Sequence, residues 1–265
     1  MHTQLHAQPP EEQERRSASR VPNTVSTASQ PMTTRGLSVV LPAWNEEIVI
    51  AQTVQQVVEA LSEIALDYEV LVVDDGSTDR TGEIADALAA ENPRIRVVHN
   101  RPNKGYGGAL IAGFNAASKE LTFFMDADGQ FDIRDITRLL EHLDEADAVL
   151  GYREHRQDPP LRIVNAWGWK MLMRLLFGLK VRDVDCAFKL YPTKLVRRAN
   201  VQAQGAMVNT EMLVKLNRLG YTWVEVPVNH YPREGGKASG ANLRVILRAF
   251  RELLKLHHRI KHEAL

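Results

Sequence analysis

The chain has 265 residues, 44% of them hydrophobic, and its 33 basic and 33 acidic residues cancel to a formal net charge of zero. That balance excludes a global electrostatic attraction to nucleic acid, and the length suits one large domain. The single cysteine, Cys186, excludes an internal disulfide and indicates a reducing compartment such as the cytoplasm.

Residues 1–35 are rich in Gln, Ser, Thr, Pro and charge, with almost no large apolar side chain. Such a segment cannot bury enough apolar surface to offset the entropy of ordering, so we predict a disordered tail. It also lacks the apolar stretch of a signal peptide. No uninterrupted apolar run in the chain reaches the roughly 18 residues of a membrane-spanning helix. The sequence therefore predicts a soluble protein whose main domain covers 36–240.

From residue 36 onward, short apolar runs alternate with segments of helical periodicity. The predicted strands are 37–42, 68–75, 94–99, 121–126 and 146–153, and the predicted helices are 48–64, 80–90, 107–118 and 133–145. This β-α-β order with continuously apolar strands indicates an α/β fold of three layers, with a mostly parallel central sheet between helices. In such Rossmann-like folds, ligands bind at the carboxyl ends of the strands.

Three of the predicted strands end in acidic residues. The first is followed by Glu46 and Glu47, the second ends in Asp74 and Asp75, and the fourth ends in Asp126 with Asp128 behind it. Capping of the following helices explains Asn45 and Asp79 better than catalysis does, and a helix dipole suits Glu46 and Glu47. Capping does not explain Asp126 and Asp128, which precede their next helix by several residues.

We expect Asp126, Asp128 and Gln130 to converge on one cation. Residues two apart in a strand face the same side, and Gly129 then allows the backbone to turn. Hard oxygen ligands indicate Mg²⁺ or Mn²⁺. A nucleoside-diphosphate leaving group needs such a cation, because negative charge develops on the departing phosphate oxygen.

The loop at 103–108, Asn-Lys-Gly-Tyr-Gly-Gly, leads into a predicted helix. It lacks the GxGxxG spacing of dinucleotide folds and the terminal Lys-Ser/Thr of the ATPase phosphate loop, which counts against dehydrogenase and kinase functions. Its glycines nevertheless suit a close approach of the backbone to a ligand.

Four motifs in this order, VVLPAWNEE, VVDDGSTD, NKGYGGAL and FMDADGQFD, resemble those of the family 2 inverting glycosyltransferases with the GT-A fold. The Asp-x-Asp-x-Gln form is similar to the dolichol-phosphate mannose synthase branch. The resemblance implies that Asp128 and Gln130 hold the metal, while Asp126 faces the nucleotide or the metal. It assigns the nucleotide sugar to Pro42, Ala43, Glu46, Asp74, Asp75, Lys104, Asp126 and Ala127.

The segment VRDVDCAFKLYP resembles the family's Asp-x-x-x-Gly-Phe-Arg segment, which maps onto Asp183, Phe188 and Lys189. Ala187 replaces the usual glycine and Lys189 replaces the usual arginine, whose fork of donors lysine does not reproduce. The resemblance therefore implies a changed geometry around the acceptor.

Arg153, Arg233 and Lys237 resemble the family's basic groups that meet the acceptor phosphate and the diphosphate, with plain surface charge as the alternative for each. Together with Asp128 and Asp183 they complete the expected catalytic set. A lipid phosphate is already ionised near neutral pH, so its attack on the anomeric carbon requires no strong base. If the acceptor is a sugar hydroxyl instead, Asp183 is the candidate base.

Two segments are relevant to membrane binding. The apolar segment 161–179 carries two tryptophans and three basic residues, and it suits either a membrane interface or an enlarged core. In 241–265, leucines gather on one side of a helical wheel and basic residues on the other, which favours a helix on an anionic membrane surface over a solvated face.

The resulting prediction is a metal-dependent hexosyltransferase that is cytoplasmic and peripherally bound to the membrane. It would move mannose from GDP-mannose, or glucose from UDP-glucose, to polyprenyl or dolichyl phosphate. The alternatives are transfer to a saccharide or other hydroxyl acceptor, and a non-catalytic nucleotide-sugar-binding protein at the membrane surface.

Overall fold

A computed structural model of the chain describes residues 32–65, 67–154, 160–232 and 243–263. The greater part of the predicted tail, residues 1–31, lies outside the described residues. Residues 32–35, which we also assigned to the tail, are ordered. The Met32 backbone N–H donates to the Ile64 carbonyl at 3.0 Å, and Arg35 pairs with Glu120 at 2.6 Å. These contacts show that residues 32–35 pack against the domain predicted to begin at residue 36.

Within the described residues, seven strands form one sheet in the order β3-β2-β1-β4-β6-β5-β7. The strands are β1 Leu37–Ala43, β2 Tyr68–Asp74, β3 Ile95–His99, β4 Leu121–Met125, β5 Ala148–Arg153, β6 Phe188–Pro192 and β7 Trp223–Val228. The helices are α1 Ile50–Ile64, α2 Thr81–Glu91, α3 Gly105–Ala116, α4 Ile136–Leu140, α5 Pro160–Phe177, α6 Thr193–Ala199, α7 Val208–Arg218 and α8 Leu243–His262.

The sheet is parallel except at β6, which runs antiparallel to both β4 and β5. The mostly parallel α/β sheet predicted from the sequence is therefore confirmed. All seven residues of β1 are buried, because its continuous apolar sequence is covered on both faces of the sheet. β2 and β4 flank β1, although β3 comes between them in the chain. Such a reversal of strand order opens a crevice at the carboxyl ends, where ligands bind in open α/β sheets.

The predicted helix at 133–145 is shorter than expected. It consists of a 3-10 turn at Ile133–Asp135, started by the Asp132 carboxylate accepting from the Arg134 backbone N–H, and of α4. After α4 the backbone bonds span three residues, as in His142 N–H to the Leu139 carbonyl at 3.2 Å. Such bonds tighten and end a helix, and this one unwinds before β5.

The segment between β5 and β6 forms α5, for which both an interfacial and a core position were considered. Met173 is fully buried and lies against Thr210 of α7, whereas Met171 and Leu175 are exposed. One face of the described turns therefore packs on the protein and the other presents apolar side chains outward.

The C-terminal helix α8 packs against the same body. Leu253, Leu256 and Ile260 are buried, and the Phe250 ring lies 5.6 Å from Trp169 of α5. Leu254, which the helical wheel places with the buried leucines, is exposed. None of the helices in the described part of the chain is long and apolar enough to cross a membrane.

Candidate active site

The loops that follow β1 and β2 are bonded to each other at the carboxyl edge of the sheet. Asn45 adopts a left-handed backbone conformation, with φ of 57°, and its Oδ1 accepts from the Thr78 backbone N–H at 2.8 Å. The Glu46 backbone N–H donates to Thr81 Oγ1 at 2.8 Å. α1 begins only after Val49, so Asn45 joins the two loops instead of capping α1 as expected. Asp79 does accept from the Thr81 backbone N–H at the start of α2, as predicted.

Asp74, an expected nucleotide-binding residue, is fully buried at the end of β2. Its carboxylate accepts from the Ser77 backbone N–H and contacts His99 Nδ1, each at 2.9 Å, and Arg101 lies at 3.2 Å. Burial opposes ionisation, but these hydrogen bonds and the Arg101 charge hold the pKa of Asp74 below its usual range. The hydrogen bond to Asp74 in turn raises the pKa of His99. The side chain of Asp74 is thus engaged within the protein.

Asp75, the next residue, connects β2 to the glycine-rich loop. Its Oδ1 accepts from Asn100 Nδ2 at 2.8 Å and from the Lys104 backbone N–H at 2.9 Å. Its backbone N–H donates to the Ala43 carbonyl at 2.9 Å. Asp75 therefore holds the β1 end and the start of α3 together, with Lys104 exposed at the edge of the crevice.

One carboxylate oxygen of Asp126, Oδ1, is shielded from solvent and has no hydrogen-bond partner among the described residues. Burial and the neighbouring charge of Asp128 raise the pKa of Asp126 to about 7, against the opposing effects of Tyr106, Lys189 and Arg153. An acceptor of this kind is costly unless a donor or a cation satisfies it.

Asp128 and Gln130 flank Gly129, whose φ of +75° gives the turn expected from the sequence. The Gln130 backbone N–H donates to Asp128 Oδ1 at 3.2 Å. The Gln130 side chain donates through Nε2 to the Tyr231 carbonyl at 3.0 Å, which fixes the orientation of its amide. The amide oxygen is the end of this side chain that can serve as a metal ligand.

The residues at this turn fit a hard divalent cation. No group of three or more His, Cys, Asp or Glu side chains suited to a metal occurs in the described ranges, so the candidate ligands are two carboxylates and one amide. An oxygen-only set of this kind suits Mg²⁺ or Mn²⁺, which keep further positions for water or phosphate. The buried oxygen of Asp126 is the group that such a cation would satisfy.

An open groove of about 500 Å³ borders Asp128. Gln52 and Gln56 of α1 line one side, and Phe131 and Tyr231 line another. The turn that carries the candidate metal ligands therefore has free space beside it.

Arg153, the last residue of β5, and Asp183 form an ion pair with two hydrogen bonds, on the side of β4 opposite to β1. Arg153 Nε donates to Asp183 Oδ2 at 2.7 Å, and Nη2 donates to Oδ1 at 2.9 Å. The Arg153 side chain is 16% exposed and that of Asp183 is 9% exposed. Although burial opposes it, the hydrogen bonds and charge of Asp183 raise the pKa of Arg153. The positive charge of Arg153 also opposes the rise in the pKa of Asp126, so the two clusters lie near each other.

Lys189, mapped to the acceptor by the resemblance, is fully buried instead. Its Nζ donates to the Val184 carbonyl at 3.0 Å and to the Cys186 carbonyl. Burial lowers the pKa of Lys189, and burial also raises the pKa of the Cys186 thiol to about 12. Lys189 therefore stabilises the loop that carries Asp183, and its ammonium group is engaged within the protein. Arg233 and Lys237 lie outside the described residues.

Two contacts that support the site could not be predicted from any motif. Burial and the charge of the neighbouring Asp126 raise the pKa of the Tyr106 phenol, and Thr53 Oγ1 donates to the Ala127 carbonyl at 3.3 Å. The glycine-rich loop was expected to allow a close approach of its backbone to a ligand. In the structure, its backbone closely approaches another part of the protein, because a β-carbon at Gly107 would overlap the Ala203 carbonyl.

The sequence of this chain is similar to those of known proteins. The sequence pattern of Glycosyl transferase family 2 matches residues 38–202. Glycosyltransferase AglD of Haloferax volcanii is 37% identical over 74% of this chain, and the chain spans only 33% of that relative. Undecaprenyl-phosphate mannosyltransferase of Micrococcus luteus is 32% identical over 75% of this chain and 85% of its own length.

Among solved structures, glucosyl-3-phosphoglycerate synthase of Mycobacterium tuberculosis has a similar fold. Its complex with Mn²⁺, uridine diphosphate and glucosyl-3-phosphoglycerate superposes with a TM-score of 0.62 at 22% identity, over 84% of this chain and 80% of that one. At this identity the likeness concerns the fold alone, and it confirms the GT-A architecture predicted from the motifs.

Proposed function

Because the chain belongs to glycosyl transferase family 2, we propose that it moves a hexose from a nucleoside-diphosphate sugar to a polyprenyl phosphate with inversion. The observation that carries this proposal is the partnerless, buried Oδ1 of Asp126 beside Asp128 at the carboxyl edge of the sheet. A polyprenyl-phosphate acceptor is supported by the Micrococcus luteus relative, whose name states undecaprenyl phosphate and mannose. GDP-mannose is therefore the first donor to test, and UDP-glucose is the second.

The nucleotide half of the donor would bind along β1 and β2. Pro42 and Ala43 end β1, and Asp75 fixes Lys104 beside them. Glu46 lies in the loop after β1, which its backbone N–H joins to Thr81. Asp74 would act indirectly, because its carboxylate already holds the turn at Ser77 and the side chain of His99.

The diphosphate would lie at Asp126, Ala127, Asp128 and Gln130. A bound Mg²⁺ or Mn²⁺ supplies Lewis-acid stabilisation of the departing diphosphate. Gln130, oriented by the Tyr231 carbonyl, would offer its amide oxygen to that cation. The backbone turn at Gly129 would hold Asp128 and Gln130 at one place while the sugar bond breaks.

The acceptor phosphate would lie near Arg153. Asp183 accepts from two of the five N–H donors of this guanidinium, so the remaining donors can point to an anion in fixed directions. Asp183 is correspondingly engaged and would position Arg153 without abstracting a proton. An ionised phosphate needs no base, so this geometry favours a phosphate acceptor over a sugar hydroxyl. Arg233 and Lys237 stay predicted partners of the same anions.

Nucleotide release tests the proposed reaction. We expect the chain to release GDP or UDP from one member of a panel of GDP- and UDP-sugars only when Mn²⁺ or Mg²⁺ and a short-chain polyprenyl phosphate are both present. Addition of a chelator should abolish release, and excess metal should restore it. Nucleotide release that does not depend on the lipid would indicate a hydroxyl acceptor. Binding of the donor without any nucleotide release would indicate a non-catalytic protein.

We further propose that α5 and α8 together face an anionic membrane. The two helices lie side by side, with Trp169 beside Phe250 and Phe177 beside His257, each pair 5.6 Å apart between ring centroids. Their outward side chains form what we call the α5–α8 surface: exposed Met171, Leu175, Phe250 and Leu254 among exposed Lys170, Arg174, Arg251, Lys255 and His258. Apolar anchors among cations are typical of binding at a lipid interface.

Vesicle binding tests the α5–α8 surface. Leu175 is 80% exposed and Leu254 is 66% exposed, so Leu175→Glu and Leu254→Glu should fold normally. Each should lower partition into phosphatidylglycerol vesicles by about tenfold or more, because a leucine loses its apolar contact and a repelled charge is added. The matched control is Ile48→Glu, at another exposed apolar position on the loop after β1. Equal partition of all four proteins would exclude this surface.

A further inference from the structure

A cluster of buried charges joins α7 to the C-terminal helix. Glu211 of α7 is fully buried, and its Oε1 lies 3.1 Å from Lys215 Nζ. Its Oε2 lies 2.7 Å from Arg259 Nη2 of α8. Lys215 also contacts Glu263 at 2.9 Å. Because charges inside a protein are stable only when paired, this cluster fixes α8 at one position on α7.

The same Glu211 oxygen holds the chain segment 202–205, which we call the 202–205 loop. Oε2 accepts from the backbone N–H groups of Gln202 at 3.1 Å and Ala203 at 2.7 Å. Hydrogen bonds to an ionised acceptor are about twice as strong as neutral ones, so the carboxylate sets the path of this loop. The conformation of the loop thus depends on the Glu211 carboxylate, whose negative charge is paired with Arg259 of α8.

α8 also packs directly on the 202–205 loop. The carboxylate of Glu252 lies where a β-carbon at Gly205 would be, so the helix and the loop are in direct contact. A crevice of about 220 Å³ between the two is lined by Met207, Leu256 and Arg259 among others. The loop therefore lies between α8 on one side and the rest of the domain on the other.

On its other side the 202–205 loop supports the first turn of α3. The Gly108 backbone N–H donates to the Gln204 carbonyl at 3.1 Å. Gly107 leaves no room for a β-carbon because of the Ala203 carbonyl, and Gly105 has a φ of +79° beside Gln204. A shift of the loop would therefore shift the start of α3, since these contacts are between backbone atoms with no side chain to absorb the movement.

The start of α3 is continuous with the proposed nucleotide site. Lys104, the residue before α3, is bonded through its backbone N–H to Asp75 Oδ1 at 2.9 Å. Tyr106, in the first turn of α3, is a close neighbour of Asp126. Contacts therefore run without a break from Arg259 through Glu211, the 202–205 loop and α3 to the nucleotide side of the donor site.

We propose that Glu211 and Arg259 are positioning residues for donor binding, acting through the 202–205 loop on the nucleotide side of the site. This inference rests on the proposed function, because it requires the edge formed by Asp75 and Lys104 to bind a nucleotide. It adds that α8, whose outer face belongs to the α5–α8 surface, supports the donor site from behind.

Arg259 is the better position for a test. Removal of Glu211 would leave Arg259 and Lys215 without their shared partner in the interior, and such a change is strongly destabilising. The Arg259 side chain is 35% exposed, and Glu211 keeps Lys215 as a partner when Arg259 is replaced. Arg259→Gln should therefore fold, with a freer 202–205 loop.

The experiment compares the donor kinetics and nucleotide binding of the full chain and its Arg259→Gln variant. We expect the donor KM, and the Kd of GDP or UDP measured by calorimetry with Mn²⁺, to rise about fivefold to tenfold, the size of coupling that packed networks transmit. The kcat and the KM for polyprenyl phosphate should stay close to wild type. Arg259→Lys, which keeps the charge but not the fork, should show a smaller rise. The control is Lys261→Gln, at an exposed position on the same helix, with wild-type values.

Three results would overturn the inference. Equal nucleotide affinity in the wild type and in Arg259→Gln would show that α8 does not act on the donor site. A fall in kcat at unchanged donor KM, with a lower melting temperature, would assign Arg259 a purely structural role. A wild-type chain that binds neither nucleotide would remove the proposed function itself, which is a different result from equal binding by both proteins.

Discussion

Asp128→Asn is expected to lower the metal-dependent rate of nucleotide release by at least about a hundredfold, the usual loss when one group that stabilises transition-state charge is removed. The substitution keeps the size of the side chain and its ability to accept from the Gln130 backbone N–H. It removes the negative charge that would bind the cation. Higher Mn²⁺ should recover part of the rate, because weaker binding is overcome by mass action. The measurement is the initial rate over a Mn²⁺ titration.

The matched control for Asp128→Asn is Asp132→Asn, four residues further along the same loop. Asp132 accepts from the Arg134 backbone N–H at 2.9 Å, and the asparagine oxygen can still accept that bond. This variant should stay within about twofold of wild type, because the half-buried side chain keeps the hydrogen bond that starts the 3-10 turn. If Asp128→Asn matched Asp132→Asn at every Mn²⁺ concentration, Asp128 would not be a metal ligand.

The positions of the acidic residues could be predicted from the sequence because they follow buried apolar strands. β1, β2 and β4 are short apolar runs, and parallel strands bring their carboxyl ends to one edge. The turn at Gly129 could be predicted for a similar reason, since glycine adopts a positive φ at little cost. These features depend on local sequence and on the parallel sheet alone.

The partners of those residues could not be predicted, because they come from distant parts of the chain. Asp74 and Asp75 are adjacent in sequence, yet one contacts His99 and the other Asn100 and Lys104. The burial of Lys189 likewise depends on β6 lying between β4 and β5, a position that no motif indicates. Arg259 was expected on the basic, membrane-facing side of the C-terminal helix, but its partner Glu211 is on a helix that was not predicted.

Asp183 was open to two interpretations, a base for a hydroxyl acceptor or a group that positions other charges. The paired geometry with Arg153 favours the second, because both carboxylate oxygens accept from the guanidinium. A carboxylate held in this way has its charge balanced, and both of its oxygens already accept hydrogen bonds. The two interpretations predict different results when the partners are replaced singly and together.

We expect Asp183→Asn and Arg153→Gln each to lower the free energy of unfolding by about 3–5 kcal/mol, and the double variant to lose less than either. Each single change leaves one charge without its partner in a largely buried position, with side-chain exposures of 9% for Asp183 and 16% for Arg153. Two neutral amides can instead hydrogen bond to each other. Urea unfolding of the four proteins measures this directly. Losses that simply add would show that the two side chains do not act as a pair.

The same four proteins separate the two roles of Asp183 in catalysis. If Asp183 positions Arg153, both single variants and the double variant should lose lipid-dependent release to a similar extent, about a hundredfold, because residues that act as a unit are not additive. The loss should appear at every pH tested. If Asp183 is a base, Asp183→Asn alone should remove turnover and the limb of the pH–rate profile due to a carboxylate, while Arg153→Gln keeps both. That second pattern would move the acceptor from a lipid phosphate to a hydroxyl group.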